Sequence, residues 1–343
     1  MVAILPRLCY TTRMIETGIE FVSVQEIAKS WQISERRVRM LCAEGKISGA
    51  RHDDGRWLVP AAAPRPVDGR SLRYGGIPPE LRALVREVDS LKAEWERRRP
   101  LTDSEKKRLR ESFMIDYTHH STAIEGNTLT LSETALVLEG VTIAKRPLKD
   151  HLEAIGHRDA FRYLEEAVGR GEAISERLVK DLHALVLADQ PQDRGVYRRI
   201  PVIITGAVHT PPQPYLVPPQ MEGWIRDLNA SRLHPIVEAA LSHIRFEKIH
   251  PFIDGNGRTG RLLANFVLMR AGYLPISIKY ENRVAYYEAF TAFHQDGDAV
   301  PMIRIFAEAE CARLGSLNSL EFTHFLTVKT RFTPMNKGRD AFW

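Results

Sequence analysis

The run His250-Pro251-Phe252-Ile253-Asp254-Gly255-Asn256-Gly257-Arg258-Thr259-Gly260-Arg261 concentrates the residue types of a phosphate-handling site. The spacing predicts a helix from Pro235 to about Ile249, a break at His250-Pro251, and a second helix from about Arg258 to Arg270, stopped by Gly272. A helix start presents free amides and a partial positive charge, which suits an anion. Gly255 and Gly257 allow the backbone to approach closely, where a side chain would intervene. Arg258 and Arg261 share a helix face and can clamp successive phosphates. Asp254 can hold Mg²⁺ through one carboxylate while phosphates supply other ligands. His250 can accept a proton near neutral pH and activate a hydroxyl. Base, metal ligand and phosphate cradle together suit attack at a phosphorus centre, whereas a plain capped helix start needs none of the three. Phe252 reads as a core anchor for the loop.

A P-loop is excluded. Gly255 and Gly260 have its glycine spacing, but Arg261 replaces the lysine, Leu262 replaces the magnesium-binding hydroxyl, and a helix replaces the preceding strand.

The run matches the signature His-Pro-Phe-x-(Asp/Glu)-Gly-Asn-Gly-Arg-x-x-Arg at every fixed position and so resembles the Fic family, over roughly Tyr74 to Leu314. The resemblance implies a mainly α fold, an all-helical core with a β-hairpin flap. It implies that His250 deprotonates a Ser, Thr or Tyr hydroxyl of a target protein, which attacks the α-phosphate of ATP and expels pyrophosphate. Gly255, Asn256, Gly257, Thr259 and Gly260 would line the nucleotide site, with the loop amides and Asn256 on the α-phosphate. Arg258 and Arg261 would take the β- and γ-phosphates, and Asp254 would hold Mg²⁺. Relatives in the Doc-like branch, which transfer phosphate, carry lysine at the position of Gly257, so the glycine favours AMP transfer. Tyr286 and Tyr287, in the family's Tyr-Tyr position, border the adenine pocket in this reading, although spacing alone makes both packing residues. His294 falls where a pocket residue is expected. The flap, residues 202–212, would pair with an extended target segment; a hairpin that merely covers the core fits the residues equally.

Ser121-Thr122-Ala123-Ile124-Glu125-Gly126-Asn127 resembles the family's inhibitory motif, (Ser/Thr)-x-x-x-Glu-(Gly/Asn), on the N-terminal side of the core. It implies that Glu125, with Ser121, engages Arg261 and keeps ATP from binding in line for attack. In relatives the same glutamate can orient a water that removes AMP. Removal of AMP, and a DNA-binding regulator with a nucleotide-sensing domain, therefore stay open beside AMP transfer.

The positioning elements are mostly helical. Leu81, Leu84, Val85, Val88, Leu91 and Trp95 recur at helical spacing, as do Leu148, Leu152, Ile155 and Ala160, and Leu178, Leu182, Leu185 and Val186. Thr130-x-x-Glu133 is a capping box. Val202 to His209, β-branched and closed by Pro211-Pro212, predicts the hairpin. Tyr197-Arg198 reads as structural. His119, His120, His183 and His243 lack metal-site spacing and read as ordinary surface or core groups.

Ahead of a proline-rich linker beginning near Pro60, Ser23-x-x-Glu26 opens a short helix to Trp31, and Ser34 caps a second to Ala43, stopped by Gly45. Asp54-Gly55 turns a hairpin between Ile47 and Pro60. Residues 23–60 resemble the excisionase/MerR-type winged helix-turn-helix family, which implies DNA contacts from Arg36, Arg37, Arg39, Arg51 and Arg56. A protein-binding module remains the other reading. The resulting division is 1–66 winged helix-turn-helix, 67–100 linker and connecting helix, 101–314 Fic domain, and 315–343 a tail whose Leu317, Leu320, Phe322, Phe325 and Phe332 have no assigned role.

Composition sets bounds. In 343 residues, 44% are hydrophobic and 27% charged, and the net charge of +5 permits an anionic partner without requiring one. Cys9, Cys42 and Cys311, odd in number and far apart, fit reduced cytoplasmic thiols. No apolar run reaches membrane-spanning length, and apolar Met1 to Tyr10 lacks a following cleavage site, so no signal peptide is expected. A homodimer is compatible with the sequence but not specified by it.

Overall fold

The computed structural model describes residues 14–16, 19–43, 47, 49–63, 77–98, 100–204 and 209–319. The chain divides into two compact units, Met1–Gly75 and Gly76–Trp343.

In the first unit, β1 (Met14–Glu16) and β2 (Ile19–Ser23) lead into α1 (Val24–Trp31) and α2 (Glu35–Ala43), followed by β3 (Arg51–Asp53) and β4 (Arg56–Pro60). Ser23 and Glu26 form the predicted capping box, and Gln32, left-handed at φ 53°, ends α1. Ser34 Oγ accepts the Arg37 amide and so starts α2. The sheet is antiparallel in the order β1-β2-β4-β3, with Asp53 opposite Arg56 across the Asp54-Gly55 turn. Val24, Ile27, Trp31, Val38, Leu41 and Val59 form its core. The predicted stop at Gly45 and most of the linker lie outside the described residues.

The second unit is helical: α3 (Arg82–Glu96), α4 (Asp103–Ile124), α5 (Leu131–Leu138), α6 (Leu148–Gly169), α7 (Glu176–Val186), α8 (Val217–Ala230), α9 (Pro235–Ile249), α10 (Asn256–Arg270), α11 (Arg283–Asp296) and α12 (Val300–Ser319). Thr102 with Glu105 and Thr130 with Glu133 are capping boxes that open α4 and α5. Helix α3 packs along α12, where Asn318 donates to the Leu91 carbonyl. The main core gathers Phe113, Phe161, Leu178, Leu182, Met221, Phe246, Phe252, Leu262 and Phe266 from α4, α6, α7, α8, α9 and α10. Helices α6 and α7 approach closely at Gly156, where a Cβ would lie 2.3 Å from the Leu185 carbonyl oxygen.

The predicted flap hairpin is corrected in its arms. Residues 201–204 and 209–213 carry no strand, and 205–208 lie outside the described residues. Pro201, Pro211 and Pro212 lack amide donors, which removes rungs a ladder would need. Arg198 supplies another tie, its guanidinium donating to the carbonyls of Ile200 (3.3 Å) and Pro212 (2.5 Å).

Candidate active site

The site is built on the break between α9 and α10. A residue before proline is disfavoured in the helical region, and His250 leaves α9 with left-handed φ 48° and ψ 62° while its amide still reaches the Phe246 carbonyl at 2.9 Å. Phe252, fully buried, stacks on His183 with ring centroids 3.6 Å apart. The Gly195 amide donates to His183 Nδ1 at 2.9 Å, so the ring's own hydrogen is on Nε2 and reaches the Asp254 carbonyl at 3.0 Å. Burial holds this imidazole neutral, its pKa down to about 4. Gly255, at φ 74°, turns the chain beside that ring, and α10 begins at Asn256 with no side chain capping its amides. An uncapped helix start beside a glycine turn is an anion site in waiting.

Arg198, read from the sequence as structural, is 2% exposed and braces the break. Its Nε donates to the His250 carbonyl at 2.8 Å, and its amide to the Pro251 carbonyl at 2.9 Å.

The other predicted nucleotide-site residues are engaged in contacts within the chain. Asn256, 2% exposed, uses both ends of its carboxamide on Phe252, accepting its amide at 2.9 Å and donating to its carbonyl at 3.0 Å. That side chain is therefore spent on the loop itself. Arg258 is 1% exposed and pairs with Glu153 at 3.0 Å and Asp254 at 3.3 Å. Its guanidinium is thus shared between two carboxylates. Thr259 is buried, and Gly260 faces His243 and Glu247. Tyr286 is sealed in the core, while Tyr287 stays half-exposed and donates to the Ile124 carbonyl at 3.2 Å. His294 stacks on His209, with centroids 4.5 Å apart, beside the flap's second arm.

Asp254 is partly exposed, and its pKa is lowered: Arg258, the Gly255 amide and Gln190 outweigh the effect of burial, the largest single influence. Gln190 donates to its Oδ2 at 3.1 Å. Among the described residues no group of three or more His, Cys, Asp or Glu is arranged to hold a metal.

The motif at residues 121–127 closes on Arg261. That guanidinium, 3% exposed, donates from Nε to Ser121 Oγ (3.0 Å) and from Nη2 to the Ser121 carbonyl (2.7 Å) and Glu125 Oε1 (2.8 Å). Glu125 lies at the C-terminus of α4 and leans so far over the α10 start that a Cβ on Gly257 would be 2.1 Å from its Oε1. Asn127 donates to Glu153 at 2.9 Å, which joins the motif to the Arg258 pair behind the loop. Glu153, Gln190 and Glu247 escaped the sequence reading because each is a lone polar residue in a helical or turn segment, with no spacing to mark it.

Of the predicted N-terminal arginines, Arg36, Arg39 and Arg56 are exposed and Arg37 is partly so. Arg39 pairs with Glu35 at 2.7 Å. Arg51 pairs with Asp53 and lies over the Phe21 ring at 4.3 Å, which gives it a packing role within its own unit.

Three comparisons with known proteins bear on this geometry. The Fic/DOC family model matches residues 173–268. The structure of Fic-1 from C. elegans superposes with a TM-score of 0.63 at 31% identity, over 68% of this chain and 71% of that one. The chain belongs to the Fic/DOC family. A Fic-domain-containing signaling protein from Bacteroides thetaiotaomicron also superposes, with a TM-score of 0.63 at 28% identity over 68% of this chain and 96% of that one. The proteins named protein adenylyltransferase Fic of Drosophila grimshawi and Drosophila melanogaster are 37% and 36% identical over 207 residues, 59% of this chain and 42% of theirs. The chain thus spans about two fifths of the length of the curated Fic relatives it matches. Among the described residues no helix is long and apolar enough to cross a membrane.

Proposed function

We propose that this chain transfers AMP from ATP to a Ser, Thr or Tyr hydroxyl of a target protein, restrained by Glu125. The observation that carries this reading is the Arg261–Glu125 pair, 2.8 Å long, laid across the uncapped start of α10. His250 stands at the end of the preceding helix, where it can reach the same ligand space. His250 takes the hydroxyl proton on its free nitrogen, the oxygen forms its bond to the α-phosphorus, and the bond to the bridging oxygen breaks to release pyrophosphate. Amides of Asn256 and Gly257 at the start of α10 stabilise charge on the α-phosphate. Arg261 binds the γ-phosphate once Glu125 has left it. Arg258 acts from behind, as a buried positive charge that holds Asp254. Tyr287 borders the adenine.

A single, partly exposed carboxylate fits Mg²⁺, which takes most of its ligands from phosphates and water. Asp254 would hold that ion, and the ion would neutralise phosphate charge. The target segment lies along 202–212, where Ile203, 90% exposed, offers an apolar contact.

The name shared by the relatives supports the forward direction over AMP removal. Glu125→Gly is expected to raise self-incorporation of AMP from labelled ATP and magnesium by about tenfold or more, the scale of a lost charge-assisted contact. An unchanged rate would end the case for the brake. His250→Ala in that background should abolish incorporation.

For residues 1–66 we propose a DNA-binding module of the winged helix-turn-helix type, with residues 101–314 the catalytic domain. Exposed Arg36, Arg39 and Arg56 support it. Fluorescence anisotropy on the full chain should show duplex binding that weakens steeply with salt and is lost in the triple alanine variant. Salt-independent or absent binding favours a protein-contacting module.

A further inference from the structure

Behind the catalytic break lies a line of buried polar groups that the chemistry above does not use. His250 Nδ1 is buried and makes no hydrogen bond among the described residues, yet Glu247 Oε2 is 3.4 Å from it. The two residues are three apart on the last turn of α9, and the left-handed conformation at His250 keeps its ring over that turn. Both side chains are shielded, with 18% and 13% of their surface exposed. The other carboxylate oxygen, Glu247 Oε1, is buried and also without a hydrogen bond.

One turn earlier, His243 is fully enclosed, and its Nε2 is 2.6 Å from the Tyr286 hydroxyl. That hydroxyl accepts from Arg261 Nη1 at 3.2 Å, so its single hydrogen is free to point at His243 Nε2. The imidazole hydrogen must then be on Nδ1. Burial, with Arg261 nearby, drives the His243 pKa down to about 3, which keeps the ring neutral with one donor and one acceptor. Nδ1 is itself buried and without a partner. A Cβ on Gly260 would fall 2.7 Å from His243 Nδ1 and 3.0 Å from Glu247 Oε1. Glu247 Oε1, an acceptor without a partner, and His243 Nδ1, against the Gly260 backbone, therefore border one gap, kept open because residue 260 has no side chain. Buried groups of this kind are seldom left unpaired.

We propose that Glu247 is a positioning residue for His250, and that His243, held in place by Tyr286 and Arg261, sets Glu247 from across Gly260. Glu247 Oε2 takes the Nδ1 hydrogen of His250 and fixes the tautomer that leaves the Nε2 lone pair free for the incoming hydroxyl. His243 Nδ1–H turns toward Glu247 Oε1 across Gly260 and holds the carboxylate at the required angle. Arg261, which answers to Glu125 or to phosphate, anchors the far end. The tautomer assignment stands on geometry alone; only its kinetic consequence rests on the AMP-transfer reading.

The test uses full-length protein with ¹⁵N-labelled histidine, the His250 resonances being assigned by their loss in His250→Ala. At a pH where the ring is neutral, the expected spectrum has a protonated Nδ1 and an unprotonated Nε2. Glu247→Ala should move His250 toward the Nε2–H form that an unheld imidazole prefers. Glu247→Gln, which keeps the shape of the side chain and its acceptor oxygen, should retain more of the original tautomer and covers the case in which the alanine variant fails to fold. In the Glu125→Gly background, Glu247→Ala should lower kcat for AMP incorporation roughly tenfold or more while KM for ATP stays within about twofold, as loss of base orientation predicts. An Nε2–H tautomer in the unaltered chain, or a His250 spectrum indifferent to Glu247→Ala, overturns the proposal. Absence of AMP incorporation in the Glu125→Gly parent would instead count against the transfer reading, and the nitrogen spectra would still decide the role of Glu247.

Discussion

Asn256 spends its side chain on the loop that carries it. Both of its side-chain hydrogen bonds go to the backbone of Phe252, four residues back, so it works as a clasp that shapes the turn before α10. Asn256→Ala should therefore lower stability without any nucleotide present. Two lost buried hydrogen bonds, with a donor and an acceptor left unpaired, cost about 2–4 kcal/mol in urea unfolding. A stability equal to that of the unaltered chain, with activity lost, would instead return Asn256 to the phosphate. At Gly257 a Cβ would lie 2.1 Å from Glu125 Oε1, so a larger residue there would displace that carboxylate.

At the scale of elements, two devices hold the break between α9 and α10 in place. Arg198 draws the carbonyls of His250, Ile200 and Pro212 onto one guanidinium, which ties the segments on both sides of residues 201–211 to the catalytic turn. The contact of α6 with α7 at Gly156 fixes the platform that carries Glu153 and His183. Gly156→Ala would push a methyl into the Leu185 carbonyl, a backbone atom that cannot swing aside. Overpacking of this kind costs roughly 1–3 kcal/mol, and thermal unfolding should show the corresponding drop in Tm. Gly169→Ala on the same helix, with open space around it, is the control and should not lower Tm by this mechanism.

At the scale of the whole molecule, buried titratable groups give stability a pH dependence with a definite sign. His183 and His243 are held neutral by burial, with pKa values near 4 and 3 against an ordinary 6.5. The unfolded chain therefore binds more protons as pH falls below 6.5. Their contribution is complete above that pH and is lost progressively as pH drops toward 4 and 3. Glu310, fully enclosed, has the opposite sign, since burial raises its pKa to about 7. Its contribution is present below the ordinary carboxylate range and is lost as pH rises from about 4.5 through 7. Urea unfolding across pH should show Glu310→Gln flattening the fall in stability toward pH 7. Conversely, His183→Gln should soften the loss between pH 6.5 and 4. A variant curve parallel to the parent at either end would show that the group does not carry the linkage.

Sequence alone determined the local features. The capping boxes at Ser23 and Thr130, the break at His250-Pro251, the Asp54-Gly55 turn and the glycines at the start of α10 each follow from rules that span a few residues. The Fic signature and the inhibitory motif were legible for the same reason. Only the tertiary structure decided which partner each charge meets. Arg258 and Arg261 are three residues apart, equivalent by spacing and both buried, yet Glu153 on α6 pairs with one while Glu125, at the end of α4, pairs with the other. The two tyrosines at 286 and 287 likewise divide into a sealed one and a half-exposed one. Burial depends on partners more than a hundred residues away in sequence, and no local pattern encodes where those partners will lie.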